Sequence, residues 1–199
     1  MGTELEWKYE LPQALSFEEI LSWEELRERA AEEPRRYRMQ TSYYDTPDRR
    51  LGSRMITLRR RLENQRSVVC CKAPVPGAAD SRLRGEWELE APEPAAALPG
   101  LIALGAPPEL AELEGLAPIC GADFRRLALL LRLEGGGCAE LALDQGRLFG
   151  PSRSLPFREL ELELKEGAAE PARDLVRRLA ERFGLRPQEQ SKLARAREL

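Results

Sequence analysis

Two stretches of this chain decide its fold: Glu4-Leu5-Glu6-Trp7-Lys8, and Glu159-Leu160-Glu161-Leu162-Glu163-Leu164-Lys165 near the other end. Successive side chains of a β-strand point to opposite faces of the sheet. Each stretch therefore predicts a strand that has carboxylates and a final ammonium on one face and apolar side chains on the other. Taken alone, either strand fits a sheet whose polar face is simply solvated.

Further segments repeat this pattern with acids, bases or both. Their charged positions at strand spacing are Arg59 and Arg61, Lys72, Arg84 with Glu86 and Glu88, and Arg126 with Asp144. If the charged faces were only solvated, nothing would require acids and bases to lie on separate strands. The joint pattern predicts a closed sheet, with the charges in a polar lumen and the apolar rows facing outward under helices.

The remaining elements follow from local signals. Ser16-Phe17-Glu18-Glu19 predicts a capping box that opens a helix running to about Pro34. The predicted strands span residues 3–11, 37–44, 54–63, 66–73, 83–91, 123–134, 138–145 and 157–165, with a glycine hairpin at 135–137. Helices are predicted within the Pro92–Pro118 segment, from Pro171 to Phe183, where Gly184 stops the helix, and from Gln188 onward. Strand parity admits only one of Arg125 and Arg126 to the lumen, although a β-bulge would exchange them; we favour Arg126.

Composition narrows the class of protein. The 199 residues contain 31 Lys+Arg and 34 Asp+Glu, for a net charge of −3, so net charge indicates neither a nucleic-acid polymer nor a membrane as partner. Four cysteines lack a Cys-x-x-Cys spacing and histidine is absent, which disfavours zinc and predicts reduced thiols. We expect a cytoplasmic protein that forms one domain over residues 1–199, without a signal peptide or membrane span.

The predicted lumen suits one kind of chemistry. Clustered carboxylates are hard oxygen ligands for Mg²⁺ or Mn²⁺, while Arg and Lys bind phosphate oxygens. Because histidine is missing, a carboxylate or a metal ion must activate water in any hydrolysis.

The Glu-x-Glu-x-Lys of residues 4–8 resembles the signature of the CYTH superfamily, the triphosphate tunnel metalloenzymes. The resemblance extends over nearly the full chain in ordered landmarks: Tyr43-Tyr44-Asp45-Thr46-Pro47, Thr57–Arg61, Lys72, Arg84–Glu88, Asp123–Arg126, Ala142–Gly146, Glu159–Glu163 and Ser191-Lys192-Leu193. It implies an α+β fold, in which helices surround a closed antiparallel β-barrel of about eight strands.

The resemblance also assigns the site residues. It implies catalytic roles for Glu4, Glu6, Lys8, Glu159 and Glu161. It implies substrate binding by Lys8, Arg59, Arg61, Lys72, Arg84, Arg126 and Lys192. Metal ligands would be Glu4, Glu6, Glu86, Glu88, Asp144, Glu159, Glu161 and Glu163, holding one or two Mg²⁺ or Mn²⁺ ions. For Lys192 only the resemblance indicates a role, since a lysine in a terminal helix is usually solvated.

The activity that the resemblance implies is hydrolysis of inorganic triphosphate to diphosphate and phosphate, as in bacterial members of the family. A class IV adenylate cyclase or a thiamine or nucleoside triphosphatase is the alternative among enzymes. A polyphosphate-binding module is the alternative without catalysis. The expected partner is a triphosphate or polyphosphate, and the expected state is a monomer or homodimer.

Overall fold

A closed barrel of antiparallel strands forms the body of the protein. The computed structural model describes residues 2–78 and 83–199. Its strands are β1 (Gly2–Glu10), β2 (Arg35–Asp45), β3 (Thr57–Glu63), β4 (Arg66–Pro74), β5 (Arg84–Glu90), β6 (Ala117–Arg132), β7 (Cys138–Phe149), β8 (Ser154–Glu166) and the short β9 (Arg186–Pro187). Eight strands follow the order β5-β4-β3-β2-β6-β7-β8-β1, and β1 pairs again with β5. This closure confirms the predicted α+β barrel.

In the described residues, six helices accompany the barrel, most of them on its outside. They are α1 (Phe17–Leu21), α2 (Glu24–Arg29), α3 (Arg50–Ser53), α4 (Pro94–Ala103), α5 (Ala169–Phe183) and α6 (Lys192–Arg197), with short 3-10 helices at Pro108–Glu112 and Glu134–Gly136. Gly184 ends α5 with a left-handed φ of 61°, as its position after Phe183 predicts. In the described part of the chain, no helix is long and apolar enough to cross a membrane.

The first helical segment differs from the prediction. Its capping box is present, since the Ser16 hydroxyl accepts from the Glu19 backbone N–H and the Glu19 carboxylate accepts from the Ser16 N–H. The helix expected to run to about Pro34 is instead two short helices, because the chain is extended at Trp23 before α2 begins. This break lets Ile20 on α1 and Leu26 on α2 both pack fully buried against the barrel.

Apolar residues on the outer faces of the strands hold the helices in place. Leucines of β6, β7 and β8 form one cluster with residues of α1, α2 and α5. Residues of β3, β4 and β5 form a second cluster with α4 and the 3-10 helix that follows it. Complete burial of one leucine side chain contributes about 1.5–3 kcal/mol, so the outer clusters supply much of the driving force for folding.

One end of the lumen is apolar, which corrects the expectation that every apolar row faces outward. Phe124 shares a strand face with Arg126, and Phe157 shares a face with Glu159, so both rings point inward. They pack with Ala196 of α6, and Met39, Ala122 and Leu148 complete this cluster. We call it the apolar plug. The helix α6 therefore closes the barrel from within instead of covering its outer surface.

Candidate active site

The lumen contains a cavity of about 970 Å³ whose walls are strongly charged. Most residues that the resemblance assigns to the site line it: Glu4, Glu6, Lys8, Arg59, Arg61, Lys72, Arg84, Glu86, Glu88, Arg126, Glu161, Glu163 and Lys192. Asp144 and Glu159 are fully buried and lie behind this wall. The geometric expectation of a shared charged channel is thus met by side chains from six strands and one helix.

The alternation of β1 brings its charges into the cavity beside those of β8. Glu6 lies opposite Glu163 and Lys8 lies opposite Glu161 in the antiparallel register. The Lys8 ammonium donates to Glu6 Oε1 at 2.8 Å. Burial acts to lower the pKa of Lys8, but Glu6 and Glu161 outweigh burial and hold this pKa above its ordinary value. Lys8 therefore stays cationic inside the barrel.

A first ionic cluster joins β1, β3, β4 and β5. The Lys72 ammonium contacts Glu4 and lies 3.3 Å from Glu86 Oε1, and Arg59 Nη2 lies 3.5 Å from the same oxygen. Burial acts to raise the pKa of Glu86, but Lys72 and Arg59 outweigh it and lower this pKa to about 2. Burial raises the pKa of Glu4, against the opposing effect of Lys72. Two cations and two carboxylates therefore balance one another at this wall.

A second ionic cluster joins β6, β7, β8 and α6. Arg126 binds Asp144 through two hydrogen bonds of 2.8 and 2.7 Å, and its Nη2 also lies 2.5 Å from Glu161. The Lys192 ammonium lies 2.8 Å from both Asp144 Oδ2 and Glu161 Oε1, and it also contacts Glu159. Burial opposes ionisation of Glu161, but Lys192 and Arg126 hold its pKa well below the ordinary value. The structure thus gives Lys192 three carboxylate neighbours.

Parity settles the position of the two neighbouring arginines on β6. Arg126 lines the cavity, whereas Arg125 is exposed on the outer face. Arg84 lines the cavity too, but its Nη2 donates to the Met55 carbonyl at 2.6 Å and to the Lys72 carbonyl at 3.1 Å. One nitrogen of its guanidinium group therefore joins β5 to β4 and to the turn before β3.

Several residues of the site were not assigned from the sequence. Tyr43 and Thr41 of β2 line the cavity, and their shared strand face was a signal that could have found them. Burial raises the pKa of Tyr43, so its hydroxyl is a neutral donor. Arg195 contacts the buried Glu159 from α6, and Lys165 at the end of β8 pairs with Glu163 at 2.7 Å. No pattern in the sequence indicates that Arg195 reaches into the barrel.

Among residues 2–78 and 83–199, three groups of side chains bring potential metal-ligand atoms within 4.8 Å of one another. Glu4, Glu86 and Glu163 form the group that best suits a hard divalent cation, because all its donors are carboxylate oxygens and all three residues line the cavity. The carboxylates of both groups have lysine or arginine partners, but in the second group, Asp144, Glu159 and Glu161, two members lie behind the cavity wall. The third group mixes the thiol of Cys70 with Glu86 and Glu88.

The family model for the CYTH domain matches residues 2–196. The chain belongs to the CYTH family. The inorganic triphosphatase of Haemophilus influenzae is 32% identical to this CYTH domain over 142 residues, which cover 69% of this chain and 39% of that protein. The match thus spans about two fifths of the relative's length. The carboxylate groups of the cavity suit the dependence of the CYTH family on divalent metals.

Solved structures share the fold of this CYTH domain. The Hippeastrum protein HpAC1, an adenylyl cyclase candidate with a dominant triphosphatase activity, superposes with a TM-score of 0.61 at 21% identity, covering 98% of this chain and 95% of that chain. The PH1819 protein of Pyrococcus horikoshii superposes with a TM-score of 0.59 at 22% identity, covering 96% of each chain. These identities establish the common architecture and carry no activity across.

Proposed function

We propose that this domain is a divalent-metal-dependent triphosphatase that hydrolyses inorganic triphosphate to diphosphate and phosphate. The observation that carries the proposal is the convergence of two ionic clusters on one cavity. Lys72, Arg59 and Arg61 enter from β4 and β3, while Lys8, Arg126 and Lys192 enter from β1, β6 and α6. Cations on facing walls are suited to neutralise the several negative charges of a phosphate chain along its length.

The ion pairs of the cavity predict that the metal and the substrate bind cooperatively. In the structure the cavity carboxylates neutralise the cavity cations, as Glu86 does for Lys72 and Arg59. A phosphate chain alone would compete with these carboxylates for the cations. Glu4, Glu86 and Glu163 would hold a divalent ion, and the ammonium and guanidinium groups would then be available to phosphate oxygens. Binding of the metal and binding of the phosphate chain should therefore be mutually favourable.

We propose roles for the catalytic residues on the same basis. A bound Mg²⁺ or Mn²⁺ would supply charge neutralisation and polarise the phosphate oxygens. Glu6 lines the cavity between Lys8 and the Glu4 group, where a carboxylate can accept a proton from water. Glu161 orients Arg126 and Lys192 toward the phosphates. Glu159 lies behind the wall, so it acts by positioning Lys192 and Arg195.

The proposed metal ligands extend beyond the group of three. Glu6, Glu88 and Glu161 also line the cavity and provide further oxygens near the phosphate chain. To act as metal ligands, Asp144 and Glu159 would have to exchange their present lysine and arginine partners for the ion, and Glu159 would then no longer position Lys192. Free thiols at all four cysteines are compatible with the cytoplasmic location that we propose.

One observation favours a second candidate, a triphosphatase or cyclase that acts on an organic triphosphate. Phe124, Tyr43 and Pro187 line the cavity beside the charged groups. Aromatic and proline surfaces are suited to an apolar or planar group attached to the phosphates. Inorganic triphosphate remains the preferred substrate, because most of the other lining side chains are charged or polar.

A substrate panel tests the proposal. Purified protein is incubated with inorganic triphosphate, ATP, thiamine triphosphate and long polyphosphate, each with Mg²⁺ or Mn²⁺, and both phosphate and cyclic AMP are measured. We expect the fastest phosphate release from inorganic triphosphate, with no release when the metal is chelated. Cyclic AMP as the main product would show that the enzyme is a cyclase and not a triphosphatase. Binding of these compounds without turnover of any of them would indicate that the protein is a polyphosphate-binding module.

Two variants with a matched control test the site itself. Glu6→Gln and Arg59→Ala should each lower turnover by roughly 10²-fold or more, as the loss of a transition-state contact does. Arg60→Ala is the control, since Arg60 lies next to Arg59 in sequence but donates to the Ser67 hydroxyl. Near-normal turnover in both cavity variants, or an equal loss in Arg60→Ala, would contradict the assignment of the lumen.

A further inference from the structure

A stripe of arginines crosses the outside of the barrel, on the opposite side of the sheet from the cavity. It consists of Arg36 and Arg38 on β2, Arg125 on β6 and Arg147 on β7, and we call it the arginine face. All four side chains are exposed, and Arg38 retains 69% of its side-chain accessibility. This part of the sheet therefore lacks the helical cover that buries the outer leucines elsewhere.

The cross-strand register gathers these charges and places Asp123 opposite Arg147, so that the arginines are only partly neutralised. Arg38 lies directly opposite Arg125, a like-charge pair that is unfavourable in a sheet. Asp123 is the acid among these outward side chains in the described ranges, and its Oδ2 lies 3.3 Å from Arg38 Nη2. Within residues 2–78 and 83–199, no carboxylate lies within 4.0 Å of Arg36, Arg125 or Arg147. A protein with a net charge of −3 thus keeps a local excess of positive charge here.

The strand geometry arranges the four residues along a diagonal. Arg38 pairs with Arg125, which pairs with Gln145, and Arg147 lies two residues further along β7. Arg36 lies two residues away from Arg38 in the opposite direction. With strands about 4.8 Å apart and a rise of about 3.4 Å per residue, the stripe is roughly 17 Å long. Its shape matches an extended, linear anion better than a compact one.

We propose that the arginine face binds a linear inorganic polyphosphate chain longer than triphosphate. Guanidinium groups bind phosphate oxygens in a bidentate manner, and Gln145, opposite Arg125, is a further donor. An acidic protein partner would need apolar anchors at the centre of its interface, where this face has glutamines. A nucleic acid would need several aromatic platforms for its bases, whereas Phe149 at the margin is the exposed aromatic residue on β7.

Binding to labelled polyphosphate of defined length tests this proposal independently of hydrolysis. The full chain carrying Arg59→Ala is titrated at several salt concentrations, so that binding in the cavity is weakened. Adding Arg38→Glu and Arg125→Glu should weaken binding at least tenfold and make the dependence on salt less steep, because phosphate contacts release counterions. Arg173→Glu with Arg182→Glu on α5 makes the same change in net charge and should leave binding nearly unchanged.

Each other outcome counts against the proposal. Unchanged binding after Arg38→Glu with Arg125→Glu, or an equal loss in the α5 control, would show that polyphosphate does not use this face. Tighter binding of single-stranded RNA, or of an acidic peptide with as many charges, would assign the face to a different partner. Hydrolysis of triphosphate by Arg38→Glu with Arg125→Glu should match wild type, so failure of the proposed reaction and failure of this inference are distinguishable.

Discussion

At the scale of single residues, Lys192 connects the stability of the barrel to its chemistry. Its ammonium is almost completely buried and has carboxylates of β7 and β8 as neighbours. Phe124 and Phe157 place their rings 5.2 and 5.5 Å from the same nitrogen. Burial acts to lower the pKa of Lys192, yet Asp144 and Glu159 hold it well above its ordinary value. Lys192 is therefore already cationic in the folded protein before any substrate binds.

Removal of this charge should destabilise the protein strongly. Lys192→Met leaves the fully buried Asp144 and Glu159 with fewer cations, which typically costs about 3 kcal/mol or more. Lys165→Met is the control, because Lys165 is partly exposed and pairs only with Glu163 among the described ion pairs, and its loss should cost less than about 1 kcal/mol. Denaturant unfolding measures both values. Equal, small losses would mean that the second cluster does not depend on Lys192.

Strand parity predicted most of this site, because the side chains of a strand alternate whatever the rest of the fold does. It placed Glu4, Glu6 and Lys8 on one face and it selected Arg126 over Arg125. Parity says nothing about Lys192 and Arg195, since these residues reach the lumen from a helix whose position depends on tertiary packing. The family resemblance supplied Lys192, and nothing in the sequence supplied Arg195.

At the scale of elements, the outer helices are joined by polar contacts as well as by leucines. Glu25 of α2 accepts from Arg178 of α5, whose Nη2 lies 2.6 Å from Glu25 Oε1, and from Arg29 at 3.1 Å. Partial burial acts to raise the pKa of Glu25, but Arg178 and Arg29 outweigh it and lower this pKa. The ion pairs thus fix the two short N-terminal helices against the long α5.

This contact predicts a pH dependence with a definite sign. A pKa that folding lowers contributes stability above the unfolded pKa, and this contribution disappears as the pH falls through the folded pKa. Glu25→Gln should therefore lower the free energy of unfolding by roughly 1 kcal/mol at neutral pH and by less in acid. Glu28→Gln, on the exposed side of α2, should change it little at either pH. A difference between Glu25→Gln and wild type that grows on acidification would contradict this account.

Local sequence signals predicted the first residue of a helix or strand better than its length. The capping box at Ser16 is present, but the extended backbone at Trp23 divides the expected helix in two. Likewise the inward-facing Phe124 and Phe157 obey strand parity, yet their role in the apolar plug depends on α6, a helix distant in sequence from β6. Such features arise from packing between elements, which no short window of sequence contains.

At the scale of the whole molecule, the barrel is closed by a short seam. The pairing of β1 with β5 consists of Gly2 with Glu86, Thr3 with Gly85 and Glu4 with Arg84, whereas β7 and β8 pair along the full length of β7. A ladder of three residue pairs opens locally more easily than a long one. The same seam carries Glu4 and Glu86, two of the carboxylates that we propose as metal ligands.

A ligand in the cavity should therefore hold the seam closed. Glu4 lies on one side of it and Glu86 on the other, so a metal ion and a phosphate chain bound between them would be lost when the seam opens. In the Glu6→Gln variant, which should turn over slowly, Mg²⁺ with triphosphate should slow amide hydrogen exchange at residues 2–4 and 84–86. Ligand at about 100 times its Kd stabilises the closed state by about 2.7 kcal/mol, or roughly 100-fold in exchange rate. Exchange in the β7–β8 ladder should change less, and Mg²⁺ alone should have a smaller effect. Equal protection of both ladders, or none at the seam, would show that the ligand does not bridge β1 and β5.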